Sequence, residues 1–186
     1  MLRRLDNALL RTMRTRGHHP SVERGMRALG SAGEWGAIWA GVGLCAAALD
    51  RRRRGRWLVA AAVGPGAVVA NYAVKRAVGR PRPELEGLPP LADAPSTLSF
   101  PSAHATSSAA AAIAMARVAP GAGPPLYALA MMLCLTRPYL GMHYPSDVLA
   151  GAALGAVIGS LVPGLSSGQT PRKRTRSGAF RGRDQT

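Results

Sequence analysis

The chain has 186 residues, of which 47% are hydrophobic, and its 24 Lys and Arg against 9 Asp and Glu give a formal charge of +15. Only 5% of the residues are aromatic, so a soluble core would be poorly filled. The apolar residues gather in runs of Ala, Gly, Val and Leu, and small residues in such runs are typical of closely packed membrane helices. This composition argues against a soluble globule and predicts one all-α domain, an integral membrane helical bundle.

The basic residues flank the apolar runs, which favours contact with anionic lipid over nucleic acid. Five arginines lie in the loop 51–56, and six Lys or Arg lie in the tail 172–183. Charges in these places fix the orientation of membrane helices and contact lipid head groups. We therefore expect the membrane, and no nucleic acid, as the partner of these charges.

Taken in chain order, residues 2–16 predict an amphipathic helix, with leucines on one side and arginines elsewhere, of the kind that lies in the membrane interface. Residues 17–23 predict a turn. Five spans follow, at about 28–49, 57–78, 101–118, 126–139 and 145–162, with a Pro-rich polar segment before the third. The chain thus divides into an amphipathic N-terminal segment (1–27), a membrane domain (28–163) and a basic tail (164–186) that we expect to be disordered.

Three polar clusters lie at the ends of these runs, where charged residues are costly and therefore indicate function. The first is residues 75–83, at the end of the second span, and the second is residues 101–104, at the start of the third. The third cluster, residues 136–147, joins the fourth span to the fifth. The second span ends on the side where the third begins, and the fourth span returns to that side, from which the fifth leaves. The three clusters should therefore meet at one membrane surface.

The cations of these clusters predict a phosphate site. Lys75, Arg82 and Arg137 can neutralise a dianion, the arginines through paired N–H donors and the lysine as a point charge. The third and fifth spans both begin at this surface, so their free N-terminal N–H groups point toward the anion. Ser102 adds a hydroxyl donor.

The histidines of the clusters predict covalent catalysis. His143 lies four residues before Asp147, which can accept a hydrogen bond from one ring nitrogen and leave the other to attack phosphorus. His104 can donate a proton to the leaving oxygen. Taken singly, each residue has a simpler interpretation as an interfacial histidine, a helix anchor or a first-turn acid. Their convergence favours function.

Other polar residues carry less weight. Two histidines and an aspartate could bind zinc, but the surrounding cations would repel the ion, so we predict no metal and no cofactor. His18 and His19 lie in a turn outside this geometry. Cys45 and Cys134 are each surrounded by apolar residues and are interpreted as small buried hydrophobes.

The three clusters together resemble the signature of the type-2 phosphatidic acid phosphatase superfamily, which also includes vanadium haloperoxidases. Its first motif, Lys, six residues, then Arg-Pro, is met by Lys75, Arg82 and Pro83. Its second, Pro-Ser-Gly-His, is met at 101–104 with Ala103 in place of Gly, which keeps the backbone N–H. Its third, Ser-Arg, five residues, His, three residues, Asp, is met from Thr136 to Asp147 with Thr in place of Ser.

The resemblance implies a metal-independent membrane lipid phosphatase that forms a phosphohistidine. His143 would be the nucleophile and His104 the acid. The implied phosphate ligands are Lys75, Arg82, Ser102, Ala103 and Arg137. Membrane members of the family have six spans, against the five found in this sequence.

The resemblance also bears on location and substrate. Of the 24 Lys and Arg, 12 lie on each side of the predicted membrane, and discounting the catalytic cations leaves the tail cytoplasmic and the site extracytoplasmic, as is usual in the family. The high Ala, Gly and Arg content indicates a GC-rich bacterial genome, such as that of an actinobacterium. Related short proteins of those organisms act on polyprenyl-linked intermediates of the cell wall, including decaprenylphosphoryl-phosphoribose, and a phospholipid is a further candidate substrate.

Three alternatives stay open from the sequence alone. A phosphotransferase would use the same site with an alcohol in place of water. A haloperoxidase would hold vanadate there, although the predicted spans argue against it. A non-catalytic protein would use the basic residues to bind anionic lipid, and Asp147 would then be dispensable.

Overall fold

A computed structural model describes residues 2–165, and in that range the chain is helical, with one isolated bridge between Pro81 and Leu98. Seven α-helices follow one another: α1 Leu2–Thr15, α2 Pro20–Ala32, α3 Ala37–Leu49, α4 Arg54–Val78, α5 Ala103–Val118, α6 Gly123–Tyr139 and α7 Pro145–Leu161. The all-α prediction is confirmed. Residues 166–186 of the predicted disordered tail lie outside the described range.

Helix α5 is the centre of the bundle and is enclosed by α4, α6 and α7. It is rich in alanine, and Ala110, Ala111, Ala112 and Ala114 are fully buried in its middle. Small side chains let neighbouring helices approach closely, so packing rather than bulk apolar area holds this core together.

Two polar contacts fix the neighbours of α5. Asn71 of α4 donates to the Thr106 hydroxyl at 2.9 Å, and the Trp39 indole of α3 donates to the Ser108 hydroxyl at 3.1 Å. Each contact satisfies a polar group inside an apolar bundle, where an unpaired donor would be costly.

Helix α7 packs on α5 through a stripe of glycines. A Cβ atom at Gly151 would lie 2.5 Å from the carbonyl oxygen of Ser102, and Gly155 and Gly159 are equally close to the α5 backbone further along. Only glycine permits this approach. As a result the N-terminal ends of α5 and α7 lie side by side, and the Ser102 N–H donates to the Asp147 carbonyl at 3.0 Å.

The N-terminal region differs from its prediction. The expected turn 17–23 contains the start of α2 at Pro20, and the expected first span is broken at residues 33–36 with a bend of 51°. Gly36 adopts φ 74° there, and a side chain on it would collide with the backbone of Gly64 in α4. Both the left-handed backbone and the close approach to α4 require glycine at this position, and the sequence pattern did not reveal them.

Helix lengths support part of the five-span prediction. Residues Arg51–Val78 form a helix long and apolar enough to cross a bilayer alone, and the bent pair Pro20–Ala32 and Glu34–Leu49 passes the same test as one broken span. Helices α5 to α7 have 16 or 17 residues, fewer than the ~20 that usually cross a bilayer. Helix α5 begins at Ala103 rather than at the expected Pro101.

Candidate active site

The structure brings six of the predicted site residues to one pocket. They arrive from four places in the chain: the end of α4, the following loop, the first turn of α5 and the end of α6 with the loop after it. The residues are Lys75, Arg82, Ala103, His104, Arg137 and His143. Residues separated by up to 68 positions thus share one small volume, as the topology of the predicted spans required.

Three cations of this pocket are held without carboxylate partners. Lys75 is 2% exposed and Arg137 is 3% exposed. Among the residues that the structure describes, Lys75 donates only to the carbonyls of Leu98 and Ser99, at 3.1 and 3.2 Å, and the Arg137 Nε has no partner. Within residues 2–165, no Asp or Glu oxygen lies within 4.0 Å of the Lys75, Arg82 or Arg137 charge. Buried cations are costly unless they are paired, so this set indicates an anion ligand.

His143 carries its ring lone pair on the Nε2 atom. This nitrogen lies 3.1 Å from the Arg82 guanidinium, which can only donate, so Nε2 carries the lone pair and Nδ1 carries the proton. The Nδ1 atom is buried and lies 3.6 Å from the Asp147 Oδ2 atom, just beyond hydrogen-bond length. Burial, followed by the charge of Arg82, lowers the pKa of His143 well below its ordinary value, so the imidazole is neutral at pH 7.

His104 faces the same pocket through its own Nε2 atom. That atom lies 2.8 Å from the carbonyl oxygen of Gly30, an acceptor, so it carries the proton. The Arg137 guanidinium lies 3.4 Å away but cannot donate to a protonated nitrogen, which leaves its donors available to a ligand. The geometry places one proton donor and one lone pair in a single cationic pocket, the arrangement that phosphoryl transfer to a histidine requires.

Two predicted residues lie behind the pocket rather than on its wall. Ser102 is fully buried, and its hydroxyl accepts from the Ala105 N–H at 3.5 Å as the N-cap of α5. Asp147 is fully buried in the first turn of α7 and accepts from the Tyr144 N–H at 2.9 Å. The Thr136 hydroxyl donates to the Leu133 carbonyl of its own helix. These three side chains bond to the backbone at the helix ends next to the pocket and do not line the pocket themselves.

The residues set aside by the sequence analysis lie elsewhere. His18 stacks on Tyr139 with ring centroids 4.2 Å apart, and His19 caps α2. Cys134 is buried as expected, whereas Cys45 is exposed on α3. None of these four residues lines the pocket.

Three residues near the site were not predicted to act in it. Glu34 lines the pocket and its Oε2 atom lies 3.6 Å from the His104 Nε2. Arg80 contacts Asp147, and Asp6 of α1 contacts Arg80. Glu34 was visible as a polar exception in an apolar run, and Arg80 lies inside the first polar cluster. Asp6 carries no local signal, because its partners are more than 70 positions away.

The chain is similar to known proteins over most of its length. Residues 55–170 match the PAP2 superfamily. The chain is 44% identical over 160 residues to the decaprenylphosphoryl-5-phosphoribose phosphatase of Mycobacterium tuberculosis. The matched region covers 83% of this chain and 87% of that protein. It is 39% identical over 149 residues to the phosphatase of the same name from Mycolicibacterium smegmatis, covering 78% and 80%.

Solved structures show the same fold. The transmembrane PAP2-type phosphatidylglycerolphosphate phosphatase of Bacillus subtilis superposes with a TM-score of 0.71 at 22% identity, over 86% of this chain and 83% of that one. The resemblance seen in the three motifs is therefore confirmed by similarity over most of the chain, and the chain belongs to the PAP2 superfamily as a membrane lipid phosphatase.

Proposed function

We propose that the enzyme removes the terminal phosphate from a polyprenyl-linked pentose phosphate of the decaprenylphosphoryl-5-phosphoribose type, through a phosphohistidine on His143. The observation that carries the chemistry is the set of three cations, which make no salt bridge within residues 2–165, around the unprotonated Nε2 atom of a neutral histidine. The substrate class is supported by the 44% identity, over most of both chains, to a phosphatase of that name. Metal independence stays a prediction.

The first half-reaction begins when the phosphate enters the pocket. Its oxygens take up the donors of Arg137 and Lys75, and they replace the His143 Nε2 atom as the acceptor of the Arg82 guanidinium. The freed Nε2 lone pair then attacks phosphorus in line with the ester oxygen. The N–P bond forms as the P–O bond breaks. His104 acts at this step as a doubly protonated imidazolium, which the bound phosphate dianion stabilises. Its Nε2 proton passes to the leaving alkoxide, and the ring is left neutral with its proton on Nδ1.

The second half-reaction returns both histidines to their starting state. A water molecule gives its proton to the now neutral Nε2 of His104 and attacks the phosphohistidine, so a P–O bond forms as the N–P bond breaks and inorganic phosphate leaves. During both steps positive charge develops on the His143 ring. The Asp147 carboxylate, 3.6 Å from Nδ1, stabilises that charge and holds the tautomer.

Glu34 has a distinct place in this scheme. A carboxylate in an anion pocket opposes phosphate binding, and this one is about one-third exposed at the pocket wall, beside the proton of His104. We infer that it supports the protonated form of His104 and connects that proton to water, at the expense of phosphate affinity.

The site is proposed to face the extracytoplasmic side. The pocket lies at the ends of α4 and α6 and the starts of α5 and α7, and the arginine-rich loop 51–56 lies at the opposite end of α4. Arg53 of that loop donates to the Val118 carbonyl at the far end of α5. A basic loop of this kind favours the cytoplasmic side.

His143→Ala should abolish phosphate release, with a loss of at least about 1,000-fold in kcat, because no other group supplies the nucleophile. The measurement is phosphate release by detergent-purified protein with EDTA present, on decaprenylphosphoryl-5-phosphoribose, undecaprenyl diphosphate and phosphatidic acid. We expect the pentose phosphate to give the highest kcat/KM, and His19→Ala to retain activity. Equal release by His143→Ala, or phosphate recovered only on an added alcohol, would contradict the proposal.

Glu34→Gln should change two constants in opposite directions. Inorganic phosphate should inhibit more strongly, because a like charge leaves the pocket, while kcat should fall by about tenfold, because His104 loses the carboxylate that supports its proton. Glu86→Gln, which neutralises an exposed acid on the same side of the protein, is the matched control. Unchanged inhibition together with unchanged kcat would remove Glu34 from the mechanism.

Orientation can be measured by labelling intact cells with a membrane-impermeant maleimide. In a background with both native cysteines replaced by alanine, Glu86→Cys in the loop beside the pocket should be labelled, and Arg52→Cys in the basic loop should react only after permeabilisation. Both positions are exposed in the structure. The reverse pattern would place the active site in the cytoplasm.

A further inference from the structure

Helix α1 contains a buried acid that the phosphatase chemistry does not use directly. Asp6 is 3% exposed on an otherwise arginine-rich helix. It accepts from the Arg80 guanidinium at 2.9 Å, from the Ser146 N–H at 3.0 Å and from the Ser146 hydroxyl at 2.5 Å. Burial alone would raise the pKa of Asp6, but the hydrogen bonds from Ser146 and Arg80 outweigh it and hold the pKa below its ordinary value. Asp6 is therefore ionised and fully engaged.

Arg80 connects Asp6 to the active site. Its Nη2 atom contacts Asp6, and its Nη1 atom donates to the Asp147 Oδ1 atom at 2.8 Å and to the Ser146 hydroxyl at 2.8 Å. Its guanidinium also lies over the Tyr144 ring, 4.1 Å from the centroid. The guanidinium is planar and rigid, so fixing one edge against Asp6 fixes the direction of the edge that faces Asp147.

Asp147 in turn has little freedom beyond these contacts. One carboxylate oxygen is held by Arg80, and the other accepts from the Tyr144 N–H and lies 3.6 Å from the His143 Nδ1 atom. Rotation of the carboxylate would move the second oxygen away from the imidazole. Asp6 also holds the peptide N–H of Ser146, in the helical turn that carries Asp147, so it constrains both the backbone and the side chain of that residue.

We propose that Asp6 is a positioning residue for catalysis, acting through Arg80 and the first turn of α7 to hold Asp147 against His143. The amphipathic N-terminal helix is then part of the active-site framework as well as an interfacial element. This inference rests on the proposed role of Asp147 and His143. It does not depend on which lipid carries the phosphate.

A purely structural tether between α1 and α7 would behave differently. Its loss would lower the stability of the fold, but the enzyme that remained folded would turn over at the normal rate. A positioning role predicts a lower kcat per folded enzyme with little change in KM, because Asp147 acts on the nucleophile and does not line the phosphate pocket. It also predicts that the effect of Asp6 disappears once Asp147 can no longer act.

The test is a double-mutant cycle in full-length protein, with Asp6→Asn, Asp147→Asn and the double variant. Asp6→Asn should lower kcat by about tenfold with KM changed less than about twofold, and in the Asp147→Asn background it should change kcat by less than about twofold. Asp93→Asn, which removes an exposed carboxylate from the Pro-rich loop, should retain the wild-type kcat. Melting temperatures are recorded for every variant.

Two outcomes would overturn the proposal: a lower melting temperature with unchanged kcat, or equal fold-losses from Asp6→Asn in both backgrounds. If Asp6→Asn is not recovered folded, Asp6→Glu takes its place in the same cycle, since it keeps the charge but moves the carboxylate by one methylene. The cycle is measured on whichever lipid phosphate the wild-type enzyme hydrolyses, so an error in the proposed substrate leaves this test intact.

Discussion

The constraint on which the rest of the structure depends is a pocket with three cations that make no salt bridge to a carboxylate within residues 2–165. Lys75 and Arg82 donate to backbone carbonyls, and Arg82 also donates to the His143 Nε2 atom; these contacts orient the donors but do not balance the charge. The Arg137 guanidinium lies 3.4 Å from the His104 Nε2 atom and keeps its donors available. Such a set is tolerable where an anion completes it. Burial, and after it the charge of the same cations, lowers the pKa of His143 and keeps its imidazole neutral, so the cations that would bind phosphate also favour a neutral nucleophile.

The bundle is organised to bring helix ends, rather than helix faces, to this point. The alanine-rich α5 and the glycine stripe of α7 let two N-terminal ends lie against each other, with the Asp147 carbonyl accepting from the Ser102 N–H. The break between α2 and α3 adds the Gly30 carbonyl and Glu34 at His104. The groups of the site therefore come from helix ends and from the loops that join them, which a tightly packed helical scaffold holds in place.

Much of the site could be predicted from sequence because its residues are charged or polar and lie next to apolar runs, where such residues are rare. Charged groups at the ends of apolar runs are costly and usually indicate function, and here their spacing from Lys75 to Arg82 and from Arg137 to Asp147 also matches known motifs. The break at residues 33–36 could not be predicted, since it contains two left-handed residues, Trp35 and Gly36, and the contact of Gly36 with Gly64 in α4 is not encoded in the local composition. The role of Asp6 could not be predicted for the same reason, because its hydrogen-bond partner Ser146 lies 140 positions away in the sequence. Ser102 belongs to the second motif and was predicted to bind phosphate, whereas its hydroxyl in this structure caps the N-terminus of α5.

The most direct measurement is an experimental structure of the enzyme with bound vanadate, which adopts the five-coordinate geometry of phosphoryl transfer. The account predicts vanadium bonded to the Nε2 atom of His143, with its equatorial oxygens contacted by Lys75, Arg82 and Arg137 and its apical oxygen within hydrogen-bond reach of His104. Vanadate bound elsewhere, or a His143 Nε2 atom still paired with Arg82 in the vanadate complex, would contradict the claim that these groups form one phosphate-transfer site.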